Sequence, residues 1–141
     1  MATRGYIAIK ENDKFKAIYH HWDSYPEHLG KLLLEHYSNV NKIKDAISHG
    51  DASLWAKNIS PPNNAIHSCD NKFPDTSIFY HRDRKEDLNI SDFRTNKSLI
   101  KNAARNGIEY LYVFDTDTNK WLVTKPYYNR TTGDISNFMN L

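Results

Sequence analysis

The clearest pattern along the chain is a strict alternation at its start. From Thr3 to Lys10 (TRGYIAIK) and again from Phe15 to Trp22 (FKAIYHHW), apolar and polar positions alternate around the turn-like ENDK, which predicts a β-hairpin. The period then changes. In SYPEHLGKLLLEHY, Leu29, Leu32, Leu33 and Tyr37 recur on one helical face, Pro26 suits a first turn, and Ser24 and Glu27 have capping-box spacing. Asn39 is placed to cap a second, short helix, VNKIKDAISHG, with Ile43 and Ile47 on one side and Gly50 as its stop.

From Asp51 to Asp75 the pattern dissolves, with a Pro-Pro pair, an Asn-Asn pair and no sustained period. A loop of this length in a small chain is usually functional or mobile rather than filler, and one role open to it is that of a lid. TSIFYHRDR (Thr76 to Arg84) reads as a strand, NKSLIKNAARNG as a helix capped near Asn96 and closed by Gly107, and IEYLYVFDT with KWLVTK as a second hairpin. Tyr110, Tyr112 and Phe114 alternate with Leu111 and Val113, so the first strand of that hairpin is expected to be central and covered on both sides. The order β-β-α-α-β-α-β-β predicts an α+β fold: an antiparallel or mixed sheet of about five strands with helices packed on one face. Residues 1–141 are expected to form a single ligand-binding domain, with NRTTGDISNFMNL as a short closing element or an oligomer contact.

Composition narrows the function. A net charge of +2 admits an anionic ligand but lacks the basic stripe of a protein that binds long nucleic acid. The single cysteine, Cys69, excludes an internal disulfide, and neither a leader nor an apolar run of membrane-spanning length is visible. A cytoplasmic protein with no membrane partner is the expectation. Nine tyrosines are many for this length, and Tyr serves a binding surface as well as a core.

The chemistry concentrates in two stretches. In HHWD, strand alternation sends His20 and His21 to opposite faces, which argues against their sharing a metal. His21 with Asp23, joined by His67, Cys69, Asp70 and His81, leaves a mixed metal site open, although no spaced ligand signature is present. Trp22 and Asp23 pack at the start of the next helix, where the backbone N–H groups of Glu27 and His28 offer a seat for a phosphate beside Tyr25. In YHRDRKED, a strand would set Tyr80, Arg82 and Arg84 on one face, suited to gripping a pyrophosphate beside a stacked base or ribose. The competing reading is a salt-bridged edge strand neutralised by Asp83, Glu86 and Asp87. Arg4 and Arg94 extend a basic rim that Lys10, Arg105 and Arg130 could join. There is no P-loop, dinucleotide fingerprint or nucleophile elbow, and Cys69 beside His67 and Asp70 lacks a defined nucleophile geometry. No catalytic residue, metal or cofactor is therefore assigned.

Taken together, TRGYIAI, AIYHHWDSYPEHLGKLLLEHY and YHRDR resemble a widespread set of small phage proteins that open with a Thr/Ser-Arg-Gly strand and carry a C-H-W-D-G-Y-P-type segment. The pattern is similar to the phage Thoeris anti-defence proteins of the first type. It covers about the first fifty residues and the arginine stretch; His20 stands where the set often has Cys, and Ser24 where it often has Gly. The resemblance implies sequestration rather than catalysis: such proteins bind cyclic ADP-ribose isomers made by bacterial TIR-domain enzymes and withhold them from their effector. It also implies a homo-oligomer, and cyclic oligonucleotides as further ligands. The binding set expected is Arg4, His21, Trp22, Asp23, Tyr25, His28, Tyr80, Arg82, Arg84 and Arg94. Two rivals remain at this point: a metal-dependent nuclease or phosphodiesterase using His21, Asp23, His67 and His81, and a protein inhibitor of a host factor acting through its aromatic surface.

Overall fold

The computed structural model describes residues 2–63 and 65–141; Met1 and Asn64, the second residue of the Asn-Asn pair, lie outside them. The predicted hairpin is present as β1 (Gly5–Glu11) and β2 (Lys14–His20). Asn12 and Asp13 both have positive φ, 54° and 60°, as the tight two-residue turn joining twisted strands requires. That turn fixes the register: Glu11 faces Lys14, and at the far end Tyr6 faces Tyr19.

The chain then enters a π-helical turn (Pro26–Gly30) that runs directly into α1 (Lys31–His36). The expected Ser24–Glu27 capping box does not form, because the Ser24 hydroxyl is committed elsewhere: it lies 2.7 Å from His20 Nδ1 and donates to the His20 carbonyl. The Tyr25 carbonyl instead accepts from the N–H groups of both His28 and Leu29. In α2 (Val40–Ser48), Asn39 caps as expected, its Oδ1 accepting from the Asn41 and Lys42 N–H groups.

The remaining elements are β3 (Ala52–Leu54), β4 (Ile78–Phe79), α3 (Tyr80–Arg84), β5 (Ser91–Phe93), α4 (Asn96–Arg105), β6 (Tyr110–Asp115), β7 (Lys120–Thr124) and β8 (Met139–Asn140). Thr95 and Ser98 form a reciprocal capping box at the start of α4. The strands make one mixed sheet in the order β4-β3-β2-β1-β6-β7-β8, with β5 pairing to β2 beside β3. β1 and β6 run parallel at its centre, and the other main pairs are antiparallel except β2 with β3.

The fold is α+β with a mixed sheet, as expected, but with eight strands rather than about five. The extra strands are two or three residues long and too short to show a period. The helices also occupy both faces rather than one. Ile7, Ile9, Ile18, Tyr112 and Phe114 point toward the buried side chains of α1 and α2, whereas Ala8, Phe15, Ala17, Leu111 and Val113 point toward Leu99 and Ile100 of α4. Each buried aliphatic side chain contributes about 1.5–3 kcal/mol, so neither layer is dispensable. β6 is central and buried on both sides, as its alternation predicts.

The segment from Asp51 to Asp75 is not a free loop. It opens with β3, buries Trp55 and Ile59, and rejoins the fold through a bridge between Asn58 and Thr76. Among the described residues, no helix is long and apolar enough to cross a membrane.

Candidate functional site

The site begins where β1 starts and β2 ends, on the α4 side of the sheet. Tyr6 and Tyr19 are cross-strand partners, and alternation places His21 on the same side as Tyr19. The Tyr6 hydroxyl donates to Asn102 Oδ1 of α4 at 2.8 Å, and the Tyr19 hydroxyl lies 2.7 Å from His21 Nδ1. His21 meets the Trp22 ring edge-on, with centroids 4.6 Å apart, and Trp22 is 44% exposed. Hydrogen bonds from the His21 and Trp22 N–H groups to the Ala52 and Ser53 carbonyls carry the strand pairing past the end of β2 and hold both rings in place.

Arg4 and α3 add charge to this aromatic face. The Arg4 backbone is tied to Glu109, which donates its N–H to the Arg4 carbonyl and accepts the Arg4 N–H on Oε2. Its guanidinium is exposed and makes no ion pair among the described residues. It nevertheless acts on its neighbours. Burial lowers the His21 imidazole below the usual histidine value and the Arg4 charge lowers it further, while burial raises the Tyr19 phenol and Arg4 pulls it back. Burial also raises the Tyr80 phenol, and proximity to Tyr19 raises it further. Arg84 lies over the Tyr80 ring at 5.2 Å while its Nε bonds Glu86 at 2.9 Å.

This geometry corrects the reading of Thr76 to Arg84 as a strand. Pairing stops at Phe79, whose N–H is accepted by Asp83 Oδ2 at 2.8 Å, and the chain turns into the short helix α3. Helical spacing keeps Tyr80 and Arg84 together, four residues apart, and swings Arg82 inward. Arg82 grips Asp83 through Nε (2.9 Å) and Nη2 (3.0 Å), and its other donors go to the Ile59 and Ser77 carbonyls and the Ser60 hydroxyl. All five guanidinium N–H groups are therefore used. Arg82 is a structural clamp with nothing left for a phosphate.

His67 belongs to the same clamp. Its Nδ1 accepts from the Phe73 N–H, so Nε2 carries the proton and donates to the Ser77 carbonyl, 3.5 Å from Asp83. The expected lid is thus pinned along part of its length by Arg82, His67 and the core ring of Trp55.

The other predicted residues separate. Tyr25 and His28 sit together at the π-helical turn, centroids 6.0 Å apart, where His28 Nδ1 donates to the carbonyl of Asp23, itself at φ 54°. The expected seat on the His28 N–H is filled by the Tyr25 carbonyl. Tyr25 lines a separate cleft of about 440 Å³ with Thr3, Tyr110 and Lys125. Arg94 lies at the other end of the hairpin, in a groove on the α2 side. The structure therefore gathers Arg4, His21 and Trp22 around Tyr19, with Tyr80 near Tyr19 and Arg84 over Tyr80, while Tyr25 and His28 group at the π-helical turn, Arg82 turns inward and Arg94 lies on the α2 side.

His20, one position away, is fully buried and structural. Its Nε2 accepts from the Trp55 N–H at 3.0 Å, so Nδ1 carries the proton and donates to Ser24. With Nε2 occupied, the Ser24–His20 pair cannot work as a nucleophile and base. Burial pushes the Cys69 thiol up, away from the reactive thiolate. Among the described residues, no three His, Cys, Asp or Glu side chains come together as a metal site; His21, His67 and His81 each bond a different partner.

Tyr6, Tyr19 and Asn102 went unnoticed in the sequence. The turn chemistry of Asn12-Asp13 carries the signal for the first two, since it dictates the register that sets Tyr6 opposite Tyr19. Family models, curated proteins and solved structures provide no match to this chain.

Proposed function

We propose that this chain binds a cyclic nucleotide signal, a cyclic ADP-ribose isomer made by a bacterial TIR-domain defence enzyme, and withholds it from its effector without cleaving it. The reading makes it a phage immune-evasion protein, in keeping with the sequence resemblance. The observation that carries it is the Tyr19–His21–Trp22 group, with the Arg4 charge acting on Tyr19 and His21, and with Tyr80, under Arg84, close enough to feel Tyr19. Aromatic faces take the base, guanidinium groups take the pyrophosphate oxygens, and phenol and amide groups meet ribose hydroxyls. We read this face as a binding surface, its imidazole held by the Tyr19 phenol beside the exposed Trp22 ring.

Calorimetry with individual cyclic ADP-ribose isomers tests this. One isomer gives saturable heat in the wild type and at least tenfold weaker binding in Arg4→Glu and Arg84→Glu. No heat with any isomer up to about millimolar, the weak end of ordinary affinity, overturns the proposal. Cleavage of nucleic acid or cyclic nucleotides that chelators abolish, or co-purification of a host protein without a small molecule, would favour the metal-dependent or protein-inhibitor reading instead.

A further inference from the structure

A groove of about 650 Å³ lies between α2 and the turn end of the β1–β2 hairpin, with β5 along one side. Its floor is aliphatic. Ile9 and Ile47 are core residues and Ile90 packs against the same cluster. Its rim is cationic, with Lys14, Lys16, Lys44 and Arg94 all exposed, set against the two carboxylates of Glu11 and Asp92. Glu11 is taken by Lys44 at 2.8 Å, and Asp92 stands directly across from Lys16 on the neighbouring strand. That leaves Lys14 and Arg94, which make no ion pair among the described residues. The groove is on the opposite face of the sheet from Tyr19 and His21 and at the opposite end of the hairpin from Arg4.

We propose that this groove is a second ligand site, for an amphiphilic monoanion of the acyl-carboxylate class. The apolar body lies on Ile9, Ile47 and Ile90, and the carboxylate is held between Lys14 and Arg94. The volume falls within the range of small-molecule sites, about 300–1,000 Å³. The aliphatic floor suits a hydrocarbon body; Phe93, which also lines the groove along β5, packs against the cluster on the other side of the sheet. Two uncompensated cations beside an apolar trough favour an anion with a hydrocarbon body over either a free phosphate or a neutral lipid.

Fluorescence titration with 8-anilinonaphthalene-1-sulfonate, followed by displacement with decanoate, tests the site. The wild type binds the dye saturably, and decanoate displaces it below about 1 mM, the weak end of specific binding. Lys14→Glu combined with Arg94→Glu weakens decanoate at least tenfold, and Ser48→Trp, which narrows the groove from the exposed rim of α2 without changing charge, does the same. Arg4→Glu with Arg84→Glu leaves decanoate binding unchanged, so this site and the nucleotide face fail or succeed separately. The proposal is overturned if decanoate does not displace the dye, if neutral decanol displaces it equally well, or if the Lys14/Arg94 charge reversal has no effect in a variant whose thermal midpoint is preserved.

Discussion

Replacing His20 by Gln should remove a defined portion of the protein's acid sensitivity. The imidazole is fully buried between Ser24 and the Trp55 N–H, and burial lowers its pKa from 6.5 to about 3. The unfolded chain takes up a proton on this ring below about pH 6.5, whereas the folded chain keeps it neutral until about pH 3. The stability that follows is fully present above pH 6.5 and is lost as pH falls through the window from 6.5 to 3. Each pH unit in that window is worth about 1.4 kcal/mol, so the loss is about 2 kcal/mol by pH 5 and about 5 kcal/mol by pH 3. Gln at position 20 keeps an acceptor for the Trp55 N–H but cannot be protonated. Burial lowers His21 and His49 as well, and their share is common to both proteins. Urea denaturation at pH 7 and pH 5 should therefore show the wild type losing about 2 kcal/mol more than His20→Gln across that interval. Parallel pH profiles would refute the assignment of His20 as a buried neutral group.

Three further outcomes follow from particular contacts. Arg82→Ala strands the Asp83 carboxylate, 4% exposed, and should cost about 3–5 kcal/mol, while Arg84→Ala, half exposed, should stay within about 0.5 kcal/mol; thermal unfolding of the pair separates clamp from ligand contact. Gly5→Ala drives its new methyl to 2.7 Å from the Ser24 Cβ and Oγ, so it should lose about 1–3 kcal/mol from overpacking, read by the same assay. Trp22→Ala should leave the thermal midpoint nearly unchanged and weaken the cyclic ligand by about 1–3 kcal/mol, the worth of one stacking ring, read by calorimetry.

The elements with strong periodicity were legible in the sequence, and those set by long-range partners were not. The first hairpin, α2 with its Asn39 cap, α4 and the buried β6 follow from alternation, 3.6-residue spacing and capping chemistry. β3, β4, β5 and β8 exist only because a neighbouring strand is there to pair with, and two or three residues carry no readable period. At Thr76–Arg84 the alternating pattern misled, because the Asp83 carboxylate caps the Phe79 N–H and helical pairing wins over extension. At Ser24 the capping signal lost to a stronger local partner, the His20 ring. The candidate site followed the same division. The His21–Trp22 junction and the Tyr80–Arg84 pair were visible in sequence, but Arg82 was indistinguishable from Arg84 until the fold turned it toward Asp83.

Mass spectrometry of small molecules released by denaturing this protein, after expression beside an active TIR-domain enzyme, tests the binding proposal most directly. The account predicts an intact cyclic ADP-ribose isomer from the wild type, and its loss from a folded Arg4→Glu, Arg84→Glu double variant. Recovery of linear ADP-ribose, or of no nucleotide from either protein, would contradict it.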